Sequence, residues 1–337
     1  MKAAVFHGIN DIRVEEVPIP AVQSNGVLVK VKATGICGSD LHPYRMGGAV
    51  GAIFGHEFSG EVVEVGADVS TVNEGDRVVG IPFSVCNQCH WCKQELYARC
   101  PDLHLPGWPD ISGAQAEYTA IPVMPGDLSI VKLPDNLSFE EGAALEPLSV
   151  AVYGVTRAKV QPDDRVVVIG AGMIGLCIVQ ALRAIGVSQI IVSGRRSKRL
   201  ELAKTCGADI VVDAAKDDIV SVVKDTWPDT LADVVFETAG VETTFQQSLA
   251  IVHPGGKVVL EGIFEQAFKW NPTTAVLKDV DLIACFGEDF AGSVDLLSQG
   301  KADMKPLISH EFPLDQAKQG YDAALEAEDA IKVLLKP

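Results

Sequence analysis

Apolar residues along this chain follow two regimes. From residue 1 to about 145 they form short β-rich segments, such as 27–33 and 61–65, separated by Gly and Pro turns, and residues 1–8 read as a first strand. From about 150 to 285 the spacing changes. Short apolar runs at 165–169, 189–193, 210–212, 233–236, 257–261 and 281–285 alternate with stretches of helical period. A strand buried on both faces needs a continuous apolar run, and helices between such strands return the chain to the same sheet, so the alternation predicts a parallel, doubly wound sheet. Residues 286–337 return to mixed spacing and end in 331–336, a strand that completes the first region. The chain is therefore expected to be α/β, with a β-rich domain at 1–148 and 286–337 and a parallel-sheet domain at 149–285 inserted into it.

Composition adds exclusions. At 337 residues the chain exceeds what one core usually organises, in line with two domains, and 47% hydrophobic residues can fill them. A net charge of -17 repels nucleic acid and anionic membrane, so neither is expected as a partner. The longest apolar stretch, 166–182, is interrupted by Gly170, Gly172, Gly175 and Gln180 and reads as strand, turn and helix rather than a membrane span. The N-terminal apolar run is too short for a secretory signal, and eight cysteines without one imply a reducing, cytoplasmic setting. Cys177, Cys206 and Cys285 are then expected as buried thiols.

Two motifs carry chemistry. Cys86, Cys89, Cys92 and Cys100 are spaced C-x2-C-x2-C-x7-C. Thiolates so close repel one another, and a divalent metal that prefers four sulfurs relieves the repulsion, so a structural zinc is expected. Gly170-Ala171-Gly172-Met173-Ile174-Gly175 follows the strand 165–169 and opens an apolar helix running to 185, the setting in which G-x-G-x-x-G binds a dinucleotide pyrophosphate. Gly170 permits the turn, Gly172 admits the pyrophosphate, Gly175 lets the helix pack, and the helix N-terminus donates to the anion. At the end of the next strand, where an acid would favour NAD, the chain has Ser193-Gly194-Arg195-Arg196. Gly194 leaves room for a 2'-phosphate and Arg195 and Arg196 can neutralise it, so NADP(H) is expected over NAD(H), with Arg199 also among the cofactor-binding positions.

A second donor set is scattered: Cys37 in Gly35-Ile36-Cys37-Gly38-Ser39-Asp40-Leu41-His42, His56 and Glu57 in Gly55-His56-Glu57-Phe58-Ser59-Gly60, and Glu146 in Glu146-Pro147-Leu148-Ser149-Val150. With Gly75-Asp76-Arg77-Val78, the cysteine lobe and the glycine fingerprint, these segments resemble the zinc-dependent medium-chain alcohol dehydrogenases over nearly the whole chain. Within them the similarity is to the polyol branch of sorbitol, butanediol, galactitol-phosphate and threonine dehydrogenases.

The resemblance implies a GroES-like β-rich catalytic domain and a Rossmann cofactor domain, and two zinc ions per chain. It implies Cys37, His56 and Glu57 as catalytic-zinc ligands, with Glu146 binding directly or through water, and Asp40 orienting His56 unless it caps a local turn. It also implies that the metal polarises an alcohol or carbonyl oxygen while hydride moves to or from the nicotinamide. Ser39 would then take the substrate proton and pass it through the cofactor ribose toward His42 and solvent. A homodimer or homotetramer built through the cofactor domain's edge strand follows from the same resemblance. The remaining histidines, His7, His90, His104, His253 and His310, are given no role. Trp108 and Tyr44 are available to a substrate cleft, although packing is the commoner use of an aromatic.

The pattern departs from sorbitol dehydrogenases at Phe286-Gly287-Glu288-Asp289-Phe290, where an Arg-Tyr-like pair would contact polyol hydroxyls. Two acids there favour an uncharged vicinal diol, a polyol or an amino-sugar-like alcohol over a phosphorylated or carboxylated substrate. Two alternatives stay open: a specialised biosynthetic ketone reductase of the same chemistry, and a non-catalytic NADP-binding protein that kept the fold.

Overall fold

A computed structural model describes residues 1–107, 111–124, 129–326 and 328–337. The chain divides into two compact units, one of 1–146, 290–298 and 304–337, the other of 147–289 and 299–303.

The first unit holds strands β1 (Lys2–Gly8), β2 (Asp11–Glu16), β3 (Gly26–Ile36), β4 (Phe58–Val65), β5 (Arg77–Gly80), β6 (Tyr118–Pro122) and β7 (Ile130–Lys132). The second holds β8 (Arg165–Ile169), β9 (Gln189–Gly194), β10 (Ile210–Asp213), β11 (Ala232–Glu237), β12 (Val252–Leu260) and β13 (Asp281–Ala284). The chain then returns to the first unit for β14 (Ile308–Pro313) and β15 (Lys332–Lys336).

In the first unit β1 pairs with β2, and a larger sheet runs β14-β15-β3-β4-β5-β7 with β6 also on β3. The long strand β3 is its centre. It is antiparallel to β4, with Thr34 opposite Phe58, and to β15, with Ile36 opposite Val333. This pairing brings the end of β3, the start of β4 and the start of β15 to one place, and the C-terminal strand crosses 296 residues of sequence to reach Ile36. Val27, Val29 and Val31 of β3 pack with Phe58, Val62 and Val78 in one core, while Ile36 joins Tyr44, Tyr321 and Val333 in another. The predicted segments 27–33 and 61–65 lie inside β3 and β4, which both run longer.

The second unit is a six-stranded parallel sheet in the order β10-β9-β8-β11-β12-β13. The sequence turns back past β8, and the crevice at that reversal, outside the carboxyl ends of β8 and β11, is where dinucleotides bind in such sheets. Val166, Val167 and Val168 are fully buried, as a central strand requires. Each of the six apolar runs became a strand. The largest difference is β12, which starts at Val252 rather than 257, because His253-Pro254-Gly255-Gly256, with Gly255 at φ 82°, joins the strand as an irregular stretch whose register shifts against β11. The helix after β8 ends at Ala184, with Ile185 as its cap.

Burial corrects one expectation. Cys177 is fully buried, but Cys206 and Cys285 are half-buried, because Cys206 is the last residue of a helix and Cys285 follows the edge strand β13. No helix among the described residues is long and apolar enough to cross a membrane.

Candidate functional site

Four sulfurs form the first cluster. Short 3-10 turns at Cys92–Gln94 and Tyr97–Arg99, with left-handed Asn87 and Glu95, fold the cysteine segment on itself. Paired backbone bonds between Ser84 and His104 close its neck. Sulfur separations are 3.9 Å (Cys86–Cys92), 3.5 Å (Cys89–Cys92), 3.9 Å (Cys89–Cys100) and 3.6 Å (Cys86–Cys100). A tetrahedron with Zn–S bonds of about 2.3 Å has edges of about 3.8 Å, so the cluster fits a four-thiolate zinc and is far too open for disulfides. Backbone N–H groups of Cys89, Cys92 and Asp102 donate to Cys86, Cys89 and Cys100 Sγ at 3.4 Å. Backbone donors at Gln88 and Cys89 pull Cys86 down to about 7, whereas burial, helped by hydrogen bonds to neighbouring thiols, pushes Cys92 up to about 12.

The second cluster sits where β3, β4 and β15 meet. Cys37 caps the helix Gly38–Met46, which begins as β3 ends, and His56 and Glu57 precede β4. The donor atoms of Cys37, His56 and Glu57 all lie within 4.8 Å of one another. One sulfur, one nitrogen and one oxygen donor could supply three protein ligands, the number found where zinc keeps a position open for chemistry. The backbone carbonyl of Glu57 accepts from Gly35 N at 2.7 Å and Thr34 Oγ1 at 3.1 Å. A Cβ on Gly35 would collide with Glu57 Oε2, so only glycine leaves the carboxylate in place.

Electrostatics around the cluster favour a cation. Burial alone would lower His56, but the adjoining Cys37, through charge and a hydrogen bond, and the charges of Asp40 and Glu146 outweigh it and hold the imidazole protonated well above its ordinary range. A metal would take the place of that proton, since histidine ligates when neutral. Glu146, 7% exposed in the first turn of the helix Leu145–Ala158, lies outside the three-donor set, although its charge reaches both His56 and Lys332.

Asp40 accepts from Cys37 N at 3.0 Å, the cap of its own helix, and from Gln115 Nε2 at 3.2 Å. Its other oxygen is 3.8 Å from His56 Nδ1, an ion-pair distance rather than a hydrogen bond. Burial pushes the Asp40 carboxyl up. Tyr321 donates to Gln115 at 2.7 Å, extending a buried polar chain from Tyr321 through Gln115 to Asp40 that the sequence did not reveal. Ser39 and His42 are exposed, one turn apart on the helix Gly38–Met46. Tyr44 is fully buried, tilted against Tyr321 with ring centroids 4.9 Å apart and donating to Asp322 at 2.7 Å, so it packs the core and lines no cleft. Trp108 lies outside the described residues.

The residue most clearly missed by sequence is Lys332. It is 3% exposed and donates to both Glu57 oxygens, at 2.6 and 2.5 Å, and to Ile36 O at 3.3 Å. Burial would discharge it, but Glu57, Cys37 and Glu146 outweigh burial and raise it above the usual lysine range. A lysine inside the otherwise apolar run Ile331 to Leu335 was the available signal, visible only once strand alternation is seen to turn position 332 inward.

In the second unit the glycine turn joins β8 to the helix Met173–Ala184, with Gly172 as its cap. Gly170 has φ 119°, and a Cβ on Gly175 would strike Gly170 O. Thr238, after β11, donates to the carbonyls of Ile169 and Gly170 at 3.0 and 3.1 Å and fixes the turn. Met173 and Ile174 form the first helical turn. Arg196 caps the helix Ser197–Cys206, Arg195 is exposed, and Arg199 Nη1 stands 3.9 Å from where a Gly172 Cβ would be. Burial and the neighbouring Arg196 lower Arg199 to about 10. A Cβ on Gly194 would stand 2.7 Å from Ala171 Cβ, so packing leaves no space for a side chain there. Glu288 and Asp289 are half-buried after β13, beside the exposed Phe286.

Residues 23–135 match the alcohol dehydrogenase GroES-like domain and residues 174–299 the zinc-binding dehydrogenase family. The chain is 35% identical to a sorbitol dehydrogenase of Bacillus subtilis over 347 residues, covering 100% of this chain and 97% of the relative. A solved zinc-binding dehydrogenase of Sinorhizobium meliloti bound to NADP superposes with a TM-score of 0.90 at 30% identity, covering 100% and 99% of the two chains. A solved Escherichia coli alcohol dehydrogenase complexed with NADH gives 0.92 at 27% identity, covering 100% and 99%.

Proposed function

We propose a specific activity for this chain, which belongs to the zinc-dependent medium-chain alcohol dehydrogenases, in their polyol branch, and is an oxidoreductase acting on CH–OH groups. It interconverts a secondary alcohol and its ketone with NADP(H), on a polyol, vicinal diol or amino-sugar-like alcohol. The observation that carries this reading is the convergence of Cys37, His56 and Glu57 within 4.8 Å, three donors for an ion that takes four.

Two zinc ions per chain are proposed, one held by the four cysteines and one by Cys37, His56 and Glu57, with Glu146 near enough to act by charge. When bound, the second zinc supplies Lewis acidity toward the reacting oxygen. When bound, the nicotinamide supplies or accepts hydride. The chain's own residues do the rest. Ser39 Oγ accepts the substrate proton and His42 relays it to solvent, a path supported by their exposure one turn apart beside Cys37. The helix Met173–Ala184 receives the pyrophosphate at its N-terminus, where Gly170 and Gly175 keep the turn tight.

Similar structures hold either NADP or NADH, so the choice rests on this chain's residues. Gly194 with Arg195, Arg196 and Arg199 supports NADP(H), because an arginine at a helix N-terminus meets a phosphate with both charge and donors. Glu288 and Asp289 support an uncharged or cationic substrate over a phosphorylated one. A homodimer or homotetramer through the edge strand β13 is supported by Val276 and Leu277, 73% and 80% exposed on the helix preceding it. A cytoplasmic setting is supported by eight cysteines, none of which is paired in a disulfide.

The test is turnover of zinc-replete protein on polyols, diols, amino alcohols and sugar phosphates with each cofactor. NADP-dependent oxidation of an uncharged diol or polyol is expected. A hundredfold preference for NAD, or comparable turnover of a sugar phosphate, contradicts the respective part of the reading.

A further inference from the structure

Lys332 and Glu57 form an ion pair with side chains 4% and 1% exposed, inside the cluster that the proposed function assigns to a cation. Isolated pairs so deeply buried are expensive, because both partners lose their hydration. This one is held by design of the sheet: antiparallel pairing of β15 with β3 sets Val333 opposite Ile36, and Lys332 Nζ reaches Ile36 O, one residue before Cys37. Both carboxylate oxygens of Glu57 touch the ammonium, so no cation could use either oxygen without sharing it with Lys332. Burial opposes the ammonium, and the charges of Glu57 and Glu146 favour it.

We infer that Lys332 is a resident counter-cation and positioning residue of the Cys37–His56–Glu57 cluster. It holds Glu57 in place in the zinc-free protein and, by sharing that carboxylate, weakens zinc binding and speeds zinc release. The inference rests on the cluster binding zinc. Two cations on one carboxylate repel, so removing the lysine charge strengthens the grip of the cluster on zinc by an order of magnitude or more. Removing it also leaves a buried carboxylate without a partner when zinc is absent, so the variant loses more stability zinc-free than zinc-loaded.

The experiment compares wild type, Lys332→Gln and Lys332→Met as full-length, zinc-loaded chains. Zinc release to a colorimetric chelator is followed, together with unfolding midpoints before and after release. Cys37→Ser identifies which zinc is which. Expected are release from the cluster at least about tenfold slower in both variants and a midpoint loss at least about twice as large zinc-free as zinc-loaded. Release that is unchanged or faster overturns the inference, as does an equal midpoint loss in the two states, the mark of a merely structural lysine. The release rate is read from the loaded protein and does not require the zinc-free variant to fold. If wild type carries no zinc that Cys37→Ser removes, the cation reading itself has failed, an outcome distinct from failure of the lysine's role.

Discussion

A methyl group at Gly35 would collide with Glu57 Oε2, so a residue without a side chain governs where a charged one sits. Gly35→Ala is expected to destabilise the protein by about 1–3 kcal/mol through overpacking, and to lower retention of zinc by the Cys37 cluster while the four-cysteine zinc stays. Metal content after dialysis checks this; a variant that keeps both ions would show that the Glu57 position is immaterial. Arg196 offers a second test at this scale. Its replacement by alanine is expected to raise the Michaelis constant for NADP by about 10- to 100-fold, the worth of one or two charge-assisted hydrogen bonds, with little change for NAD. Equal effects on both cofactors would mean that the arginine does not meet a 2'-phosphate. The cysteine spacing and the glycine fingerprint were legible because their donors are close in sequence. Lys332, Gln115 and Tyr321 were not, because a strand, a loop and a helix from distant parts of the chain bring them to the cluster.

Among the elements, the six parallel strands could be read from sequence because a strand buried on both faces has no polar positions to disguise it. The β-rich unit was legible only in outline, since its strands alternate and its register depends on partners from both ends of the chain. Glu261 shows what an element end can hide. It follows β12, its Oε1 is buried without a hydrogen-bond partner, and burial raises its carboxyl to about 8, although a hydrogen bond to Cys285 opposes the shift. The folded protein therefore binds this proton more tightly than the unfolded chain does. Its stabilising effect is full below the ordinary Glu range near 4.5 and is lost as pH rises through about 8. In cofactor-free protein, unfolding free energy should fall between those limits by up to about 1.4 kcal/mol per pH unit relative to Glu261→Gln. Denaturant unfolding of both proteins across that window checks it; parallel pH curves would place Glu261 in water. Cys285, pushed up to about 12 mainly by burial, is expected to react slowly with alkylating agents in the same range.

At the scale of the whole molecule, a net charge of -17 opposes self-association by charge and leaves association to local apolar surface. Val276 and Leu277 before the edge strand β13 supply such surface, so Leu277→Asp is expected to shift the native mass toward the monomer without unfolding the chain. Light scattering on wild type and variant decides this, and an unchanged mass would move the interface elsewhere. In the proposed reaction a zinc ion held by Cys37, His56 and Glu57 makes an alcohol reactive toward a nicotinamide. Its most direct test is the zinc content of wild type and Cys37→Ser, measured on the same samples as NADP-dependent alcohol oxidation. Two ions falling to one are expected, with turnover reduced by roughly a thousandfold, the equivalent of about 4 kcal/mol of charge stabilisation. A Cys37→Ser protein that keeps both ions and its turnover, or a fully active wild type with one ion, would contradict it.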